Sequence, residues 1–540
     1  VLRIALRQQR VGMYGMAAIS AIGCAVQAAA FSSAAGTTEA ARMAFAQQMG
    51  VLGQQLTYLL PAPVGVDTIG GYLQWREYGG FPVVVLIWAV LSASGAVRGD
   101  EEKGLVDAWL SEGVSRARYL VSRFLGFLLA AALFGTAMGI ATYFGTLAAG
   151  FSLDAVSVLE ASVAIAALTA TCYSIGLLLS QLVPTRNAAA GLSAGVLLVM
   201  FFVNSFGRTI ESLRSIARVI SPFYYYDRSN PLLPGGHLDV PATVGLLVAA
   251  LVLVGLAAWL MQLRDVGSSL IRFRPRTHPP VYRPDRNPLL RIPVLESLYE
   301  QRLGLAAWTL GSAVGAAYFA SLGHQLVDLM TSTSGGFHAY LSLFRGDPYV
   351  VLTGFFWFGF FQLMLAVYAI TQVARWAAED NEGRLEMELS APVPRWRVVM
   401  KRAGTLLASL AIVIGVSSIA FYLEGHAVGI NMPSGEMFLA SVILVPFGTT
   451  FAAVGAVLAS RVPRATVAVL IGIAGFSYLA NDLGPLFHWP EWALNLSLFS
   501  LYGNPISGDV KWDGLWEMLA ICVVGFGLAT ILMQRREVGR

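Results

Sequence analysis

Long apolar runs alternate with short polar stretches along the whole chain. Twelve runs stand out, near residues 11–31, 82–97, 120–148, 158–182, 187–206, 241–262, 303–322, 351–374, 403–423, 437–459, 465–482 and 514–533. A helix needs about 20 apolar residues to cross the hydrocarbon core of a bilayer. Backbone polar groups find no water there, so each run is predicted to be a helix that satisfies its own hydrogen bonds. The pattern predicts an all-α polytopic membrane protein with twelve transmembrane helices.

The polar stretches repeat. Glu102 to Arg118 returns without a gap as Asn381 to Arg397, at an offset of 279 residues. Gly104/Gly383, Leu110/Leu389, Ser111/Ser390, Val114/Val393, Arg116/Arg395 and Arg118/Arg397 are identical pairs. Val183-Pro184 returns as Val462-Pro463 at the same offset. Ser221, Phe223, Tyr226 and Asn230-Pro231 are matched by Ser497, Phe499, Tyr502 and Asn504-Pro505. Gln9-Arg10 returns as Gln301-Arg302 at an offset of 292, so the first copy holds 13 more residues before its second span. These matches predict two parallel six-helix repeats: a first half over 1–263, a linker over 264–294 and a second half over 295–540. The linker is rich in Arg and Pro (Arg272 to Arg276, Pro279-Pro280, Arg283-Pro284) and reads as an extended tether.

Composition agrees: 56% of residues are hydrophobic and 13% charged, against about 25% charged in soluble domains. Charge placement says more than the net +4. Alternate loops assigned to the inside collect 28 of the 36 Lys and Arg. The positive-inside rule then places both termini in the cytoplasm of a multi-pass cell-membrane protein. The first run recurs internally, so it is expected to be a retained span and not a cleaved signal. The chain opens on Val1, and native residues are expected before it. Residues 32–80 contain an amphipathic stretch over Glu39 to Leu60 that fits an interfacial or lid helix. Cys24, Cys172 and Cys522 fall inside apolar runs and read as small hydrophobes. No basic patch calls for nucleic acid.

The duplicated segment carries the candidate function. Asp100-Glu101-Glu102 and Glu379-Asp380 are expected to open a short helix, where carboxylates favour the exposed amides. Gly113 and Pro392 are expected to end it. Ser115 and Pro394 suit the start of the next helix, with Arg116, Arg118, Arg395 and Arg397 in its first turn. A short polar helix wedged against a span, present twice, is a docking surface for a partner outside the bilayer.

These residues resemble a known family. An acidic start followed by Gly-x-x-acidic-x-x-Leu-Ser-x-x-Val-x-Arg-x-Arg, after the second of six spans, resembles the coupling segment of ABC-type exporter permeases of the antibiotic and polysaccharide efflux class. Two such halves in one chain are similar to the actinobacterial tetronasin-type and mycobacterial multidrug efflux permeases. The resemblance covers the whole chain in span layout and two stretches of about 20 residues in motif. It implies elbow helices at Leu2 to Arg10 and Leu295 to Arg302, and coupling helices at Glu101 to Ser111 and Asp380 to Ser390. It implies coupling roles for Glu101, Glu102, Gly104, Leu110, Ser111, Arg116, Arg118, Glu379, Asp380, Gly383, Leu389, Ser390, Arg395 and Arg397. It further implies an ABC ATP-binding subunit as partner, expected in two copies. Glu112-Gly113 departs from the small-Pro pair kept at Ala391-Pro392, so the two docking sites are not expected to be equal.

The chain contains no Gly-x-x-x-x-Gly-Lys-Ser/Thr. It is therefore expected to be a transport subunit that binds no cofactor, with ATP and Mg held by the partner. No catalytic or metal-binding arrangement is expected. Two other readings stand beside this one. A proton-coupled secondary drug transporter normally needs a carboxylate deep in the membrane, and Asp154, Glu160, Glu436, Asp482 and Glu517 all lie near span ends. A membrane-embedded transferase needs paired catalytic groups, and the outer histidines show no paired motif.

In the resembled family, substrate passes between the second and fifth spans of the two halves. That implies pocket candidates Trp88, Met200, Phe202, Asn204, Phe356, Phe360, Phe476, Tyr478 and Asn481. Rings and a few polar groups suit a hydrophobic or amphipathic small molecule.

Overall fold

The computed structural model describes residues 2–56, 61–208, 210–270, 291–324, 347–381, 384–390, 394–463, 465–483 and 496–535, together with 327, 490 and 494. The protein is a multi-pass membrane protein built almost wholly of helices. Eleven of the described helices are long and apolar enough to cross a membrane. The run expected over 465–482 forms the helix Thr466–Leu483, whose apolar stretch, Val469–Tyr478, is shorter than the others. The chain folds as two units, Val1–Pro280 and Val281–Arg540. Of the expected linker, residues 271–290 lie outside the described residues.

In the first unit the helices are α1 (Leu2–Ala35), α2 (Glu39–Leu56), α3 (Ile69–Glu102), α4 (Leu105–Ser111), α5 (Arg116–Ala148), α6 (Ala155–Leu179), α7 (Arg186–Gly207), α8 (Glu211–Ile220), α9 (Pro222–Tyr226) and α10 (Val240–Leu263). Their starts follow side-chain chemistry. Ser115, Asp154, Thr185 and Asp239 each accept a hydrogen bond from the backbone amide three residues on, satisfying a donor with no partner inside the helix. α1 runs straight through the expected elbow, so Leu2 to Arg10 is the first part of a span and not a separate helix. α3 contains two π turns, Gln74–Tyr78 and Gly95–Gly99. α5 packs along α1 and α6, and α6 also packs on α3 and α10.

The second unit holds α11 (Pro293–Glu300), α12 (Arg302–Ser321), α13 (Pro348–Asn381), α14 (Arg384–Ser390), α15 (Arg395–Ala427), α16 (Ser434–Arg461), α17 (Thr466–Leu483) and α18 (Trp512–Arg535). A small antiparallel hairpin, β1 (Gly503–Asn504) with β2 (Asp509–Val510), precedes α18. Here the segment expected as an elbow, Leu295 to Arg302, falls mostly in a separate helix, α11. Inside this unit α15 packs along α12 and α16, and α16 packs on α13 and α18. Each unit thus uses the same set of neighbours.

The repeated Ser, Phe and Tyr motif has a matching structural role. Ser221 donates to the Met200 carbonyl of α7, and Ser497 donates to the Ser477 carbonyl of α17. Each hydroxyl ties the segment before a unit's last long helix to the long helix that precedes that segment. Tyr226 and Tyr502, both buried, donate to the Tyr78 and Ala440 carbonyls of their own units.

Candidate functional site

The duplicated segment forms a short helix between two long ones in each unit, but it begins later than expected. α3 continues through Glu102, and Gly104, with φ of +69°, breaks the chain before α4. A left-handed backbone at this point suits glycine, which has no Cβ to clash. Asp100 and Glu101 therefore end the long helix and do not open the short one. Carboxylates are disfavoured at a helix C-terminus, and here arginines compensate them.

Glu101 sits between Arg98 and Arg264, and all three side chains are almost completely buried. Arg98 donates to Glu101 at 2.8 Å and to the Ser180, Gln181 and Ser268 carbonyls at 2.7, 3.2 and 2.8 Å. Arg264 forms a second ion pair with Glu101 and donates to the Gln181 side-chain oxygen at 2.9 Å. Asp100 pairs with Arg123 and accepts from the Tyr119 hydroxyl at 2.7 Å. Glu102 is exposed and accepts the backbone amide of Arg186, the first residue of α7. Glu101 is thus committed inside the unit and offers nothing to a partner, contrary to the docking role its acidity suggested.

The short helix has an inner and an outer face. Val106 is fully buried, and Leu110 packs half-buried on the core beside Trp109 and Val114. Asp107, Ala108 and Ser111 face outward. In the second unit Leu385 is buried at the place of Val106, and Leu389 is half-buried like Leu110. Glu386, Met387 and Ser390 face outward at the places of Asp107, Ala108 and Ser111. Ser111 and Ser390 each donate back to a carbonyl three residues earlier, at 2.8 and 2.7 Å. Gly113 ends α4 with φ of +81°, and Ser115 caps α5. Gly383, Pro392 and the Asp380 side chain lie outside the described residues.

Arg116 and Arg395 perform one task in both units. Arg116 donates to the Met261, Gln262 and Arg264 carbonyls at the end of α10, at 3.2, 3.4 and 2.5 Å. Arg395 donates to Met533 and Gln534 at the end of α18, at 3.1 and 3.2 Å. The last carbonyls of a helix lack intrahelical donors and carry partial negative charge, so a guanidinium there is favourable. The helix after the short one is thereby tied to the unit's last long helix. Arg118 and Arg397 are exposed, the latter over the Trp396 ring.

The second unit keeps only part of the buried charge. Glu379 pairs with Arg402 at 2.8 Å, at the places of Asp100 and Arg123, but both are more exposed. Ala377 and Val398 stand where the first unit has Arg98 and Tyr119.

The pocket candidates divide. Trp88 is buried against Phe127 and Phe134, at ring distances of 4.7 and 5.8 Å, and belongs to the core. Met200 is half-buried on the same core. Asn204 is buried and donates to Asp227, which also pairs with Arg208. Tyr478 and Phe356 are half-buried. Phe202, Phe360, Phe476 and Asn481 are exposed on their units, with Phe360 stacked on Phe319.

Sequence reasoning passed over Val106, Leu385, Asp107, Glu386, Arg98 and Arg264. It also left Glu77 within residues 32–80, ahead of the run expected over 82–97. Glu77 lies instead within α3, 7% exposed, against Gly23 of α1. Its position in a polar stretch ahead of the apolar run hid it.

Residues 11–266 match the family of ABC-2 family transporter proteins. Residues 290–533 match the C-terminal domain of the multidrug efflux system permease Rv1217c. No curated protein matches the chain significantly.

Proposed function

We propose, on the premise that this chain is the membrane permease of an ABC exporter with two fused halves, that α4 and α14 are its coupling helices. An ATP-binding partner is implied by that family. In our reading two copies of it bind one permease chain, each against one short helix. ATP and Mg sit on those subunits, and the permease carries no nucleotide site of its own.

The observation that supports this reading is the duplicated short helix with its inner anchor and outer acidic face. Val106 and Leu385 fasten each helix to its unit, while Asp107 and Glu386 project outward. In the first unit a push on the outer face reaches the following helix through the turn that Ser115 caps. Arg116 or Arg395 then carries it to the last long helix. The outward side chains, not the buried Glu101, are the docking groups.

The transported molecules are hydrophobic or amphipathic drugs, and Phe202, Phe356, Phe360, Phe476 and Tyr478 are the rings offered to them. The membrane is the cell membrane, with both termini in the cytoplasm. Purification with a candidate ATP-binding subunit, native mass measurement and a drug-stimulated ATPase assay test the proposal. The expected result is two ATPase copies per chain and hydrolysis that rises with drug. ATP hydrolysis by this chain alone overturns it.

One observation favours a second reading. Glu77 is a buried carboxylate within a span, the feature a proton-coupled transporter uses. ATP-driven export by proteoliposomes with no proton gradient separates the two.

A further inference from the structure

A polar cavity of about 300 Å³ opens in the second unit among α11, the end of α13, α14 and the start of α15. The internal repeat shows which of its residues the fold requires. The Glu379–Arg402 pair has its counterpart in Asp100–Arg123, so it belongs to the shared architecture. Gln372, Arg375, Glu388 and Lys401 have none: the first half holds Ala93, Ala96, Trp109 and Ser122 there. Val398 replaces Tyr119 and Ala377 replaces Arg98, two side chains that are fully buried in the first unit. One half fills the space, and the other clears it and lines it with charge.

The lining charges have two signs. Arg375, Lys401 and Arg402 face the same cavity as Glu300, Glu379 and Glu388. Arg402 is held by Glu379, Lys401 reaches Glu296 at 3.3 Å, and Arg375 donates to Gln301 at 2.9 Å. Glu300 and Glu388 have no ion-pair partner among the described residues. A ligand that satisfies this set carries an anion for Arg375 and Lys401 and a hydrogen-bonding cation for the two glutamates. Phosphate suits Arg and Lys donors. A primary ammonium brings three donors to carboxylates, which a trimethylammonium does not. The cavity adjoins the short helix α11, at the span ends expected inside, where basic residues meet phospholipid headgroups.

We propose that this cavity binds a phosphoethanolamine group, carried on a phospholipid of the inner leaflet, with phosphate at Arg375 and Lys401 and ammonium at Glu300 and Glu388. The site belongs to the second half alone and does not depend on what α14 docks against.

The full chain in nanodiscs of phosphatidylcholine with added phosphatidylethanolamine and phosphatidylglycerol, stripped stepwise and weighed by native mass spectrometry, tests this. One phosphatidylethanolamine per chain is expected to persist, about tenfold preferred over phosphatidylcholine. The double change Arg375→Ala, Lys401→Ala should lower that retention about a hundredfold, the loss expected for two charged hydrogen bonds. Glu388→Gln, on an exposed side chain that folding does not need, should lower the preference over phosphatidylglycerol. Ser122→Ala, at the matching place in the first half, should change nothing. Equal retention of all three lipids, or unchanged preference in Glu388→Gln, overturns the site. Binding of soluble phosphoethanolamine as tight as that of the lipid overturns its assignment to the bilayer.

Discussion

At the scale of single residues, burial decides which acidic groups are structural. Removing one partner of a buried charge pair leaves the other uncompensated and costs roughly 3–5 kcal/mol. Glu101→Ala strands both Arg98 and Arg264, so a large fall in thermal stability of the detergent-solubilised chain is expected. Asp107→Ala, on the exposed face, should leave the melting temperature within error. Glu77 offers a sharper contrast. Glu77→Gln keeps its shape beside Gly23 while removing the charge, and ATP-driven drug export should continue. Abolished export with normal amounts of folded protein would favour proton coupling. None of this was legible from residue type. The acidic start of the repeat was visible, but its inward direction was not, because Arg264 lies 163 residues away and outside either repeated segment. Val106 and Leu385 were passed over for the opposite reason: an apolar residue in a polar loop attracts no notice until a core appears beneath it.

At the scale of elements, the short helix works through its two faces. Exposed ion pairs contribute about 0–1 kcal/mol each, so Asp107→Lys or Glu386→Lys alone should weaken ATPase binding little. The two together should uncouple drug export from hydrolysis, read as drug-independent ATPase in the assembled complex. Val106→Asp or Leu385→Asp attacks the other face and should detach the helix from its unit. Loss of drug stimulation is expected in each, with the permease still present in the membrane. Arg116→Ala and Arg395→Ala cut the tie to the last long helix. Each should lower stability by about 1–2 kcal/mol, the worth of charged hydrogen bonds at a helix end, and reduce coupling more than ATPase binding. The stop at Gly113 and the cap at Ser115 could be read from the sequence because both are local chemistry. The start could not, since nothing local says whether three carboxylates end one helix or open the next. Gly104 gave the only signal, and it marks a break without saying which side is long.

At the scale of the whole molecule, eleven of the twelve expected spans were legible because apolar length alone determines them, and eight identical pairs at one offset mark the repeated segments. Departures within the repeat were not. The same offset that pairs Arg116 with Arg395 also pairs Arg98 with Ala377 and Tyr119 with Val398, and only packing shows what those exchanges do. The buried cluster also has a history in time. A ribosome adding about 5–20 residues per second needs roughly 10–30 s to travel from Glu101 to Arg264. Through that interval Glu101 is already made and its distant partner is not. Arg98, three residues away, is its one buried ion-pair partner already synthesised among the described residues. Arg98 is therefore the chaperone of its own helix before it is a fixture of the finished protein. Arg98→Ala should show its main defect during biogenesis, as early degradation of newborn chains in a pulse-chase measurement. Chains that survive to receive Arg264 should turn over slowly.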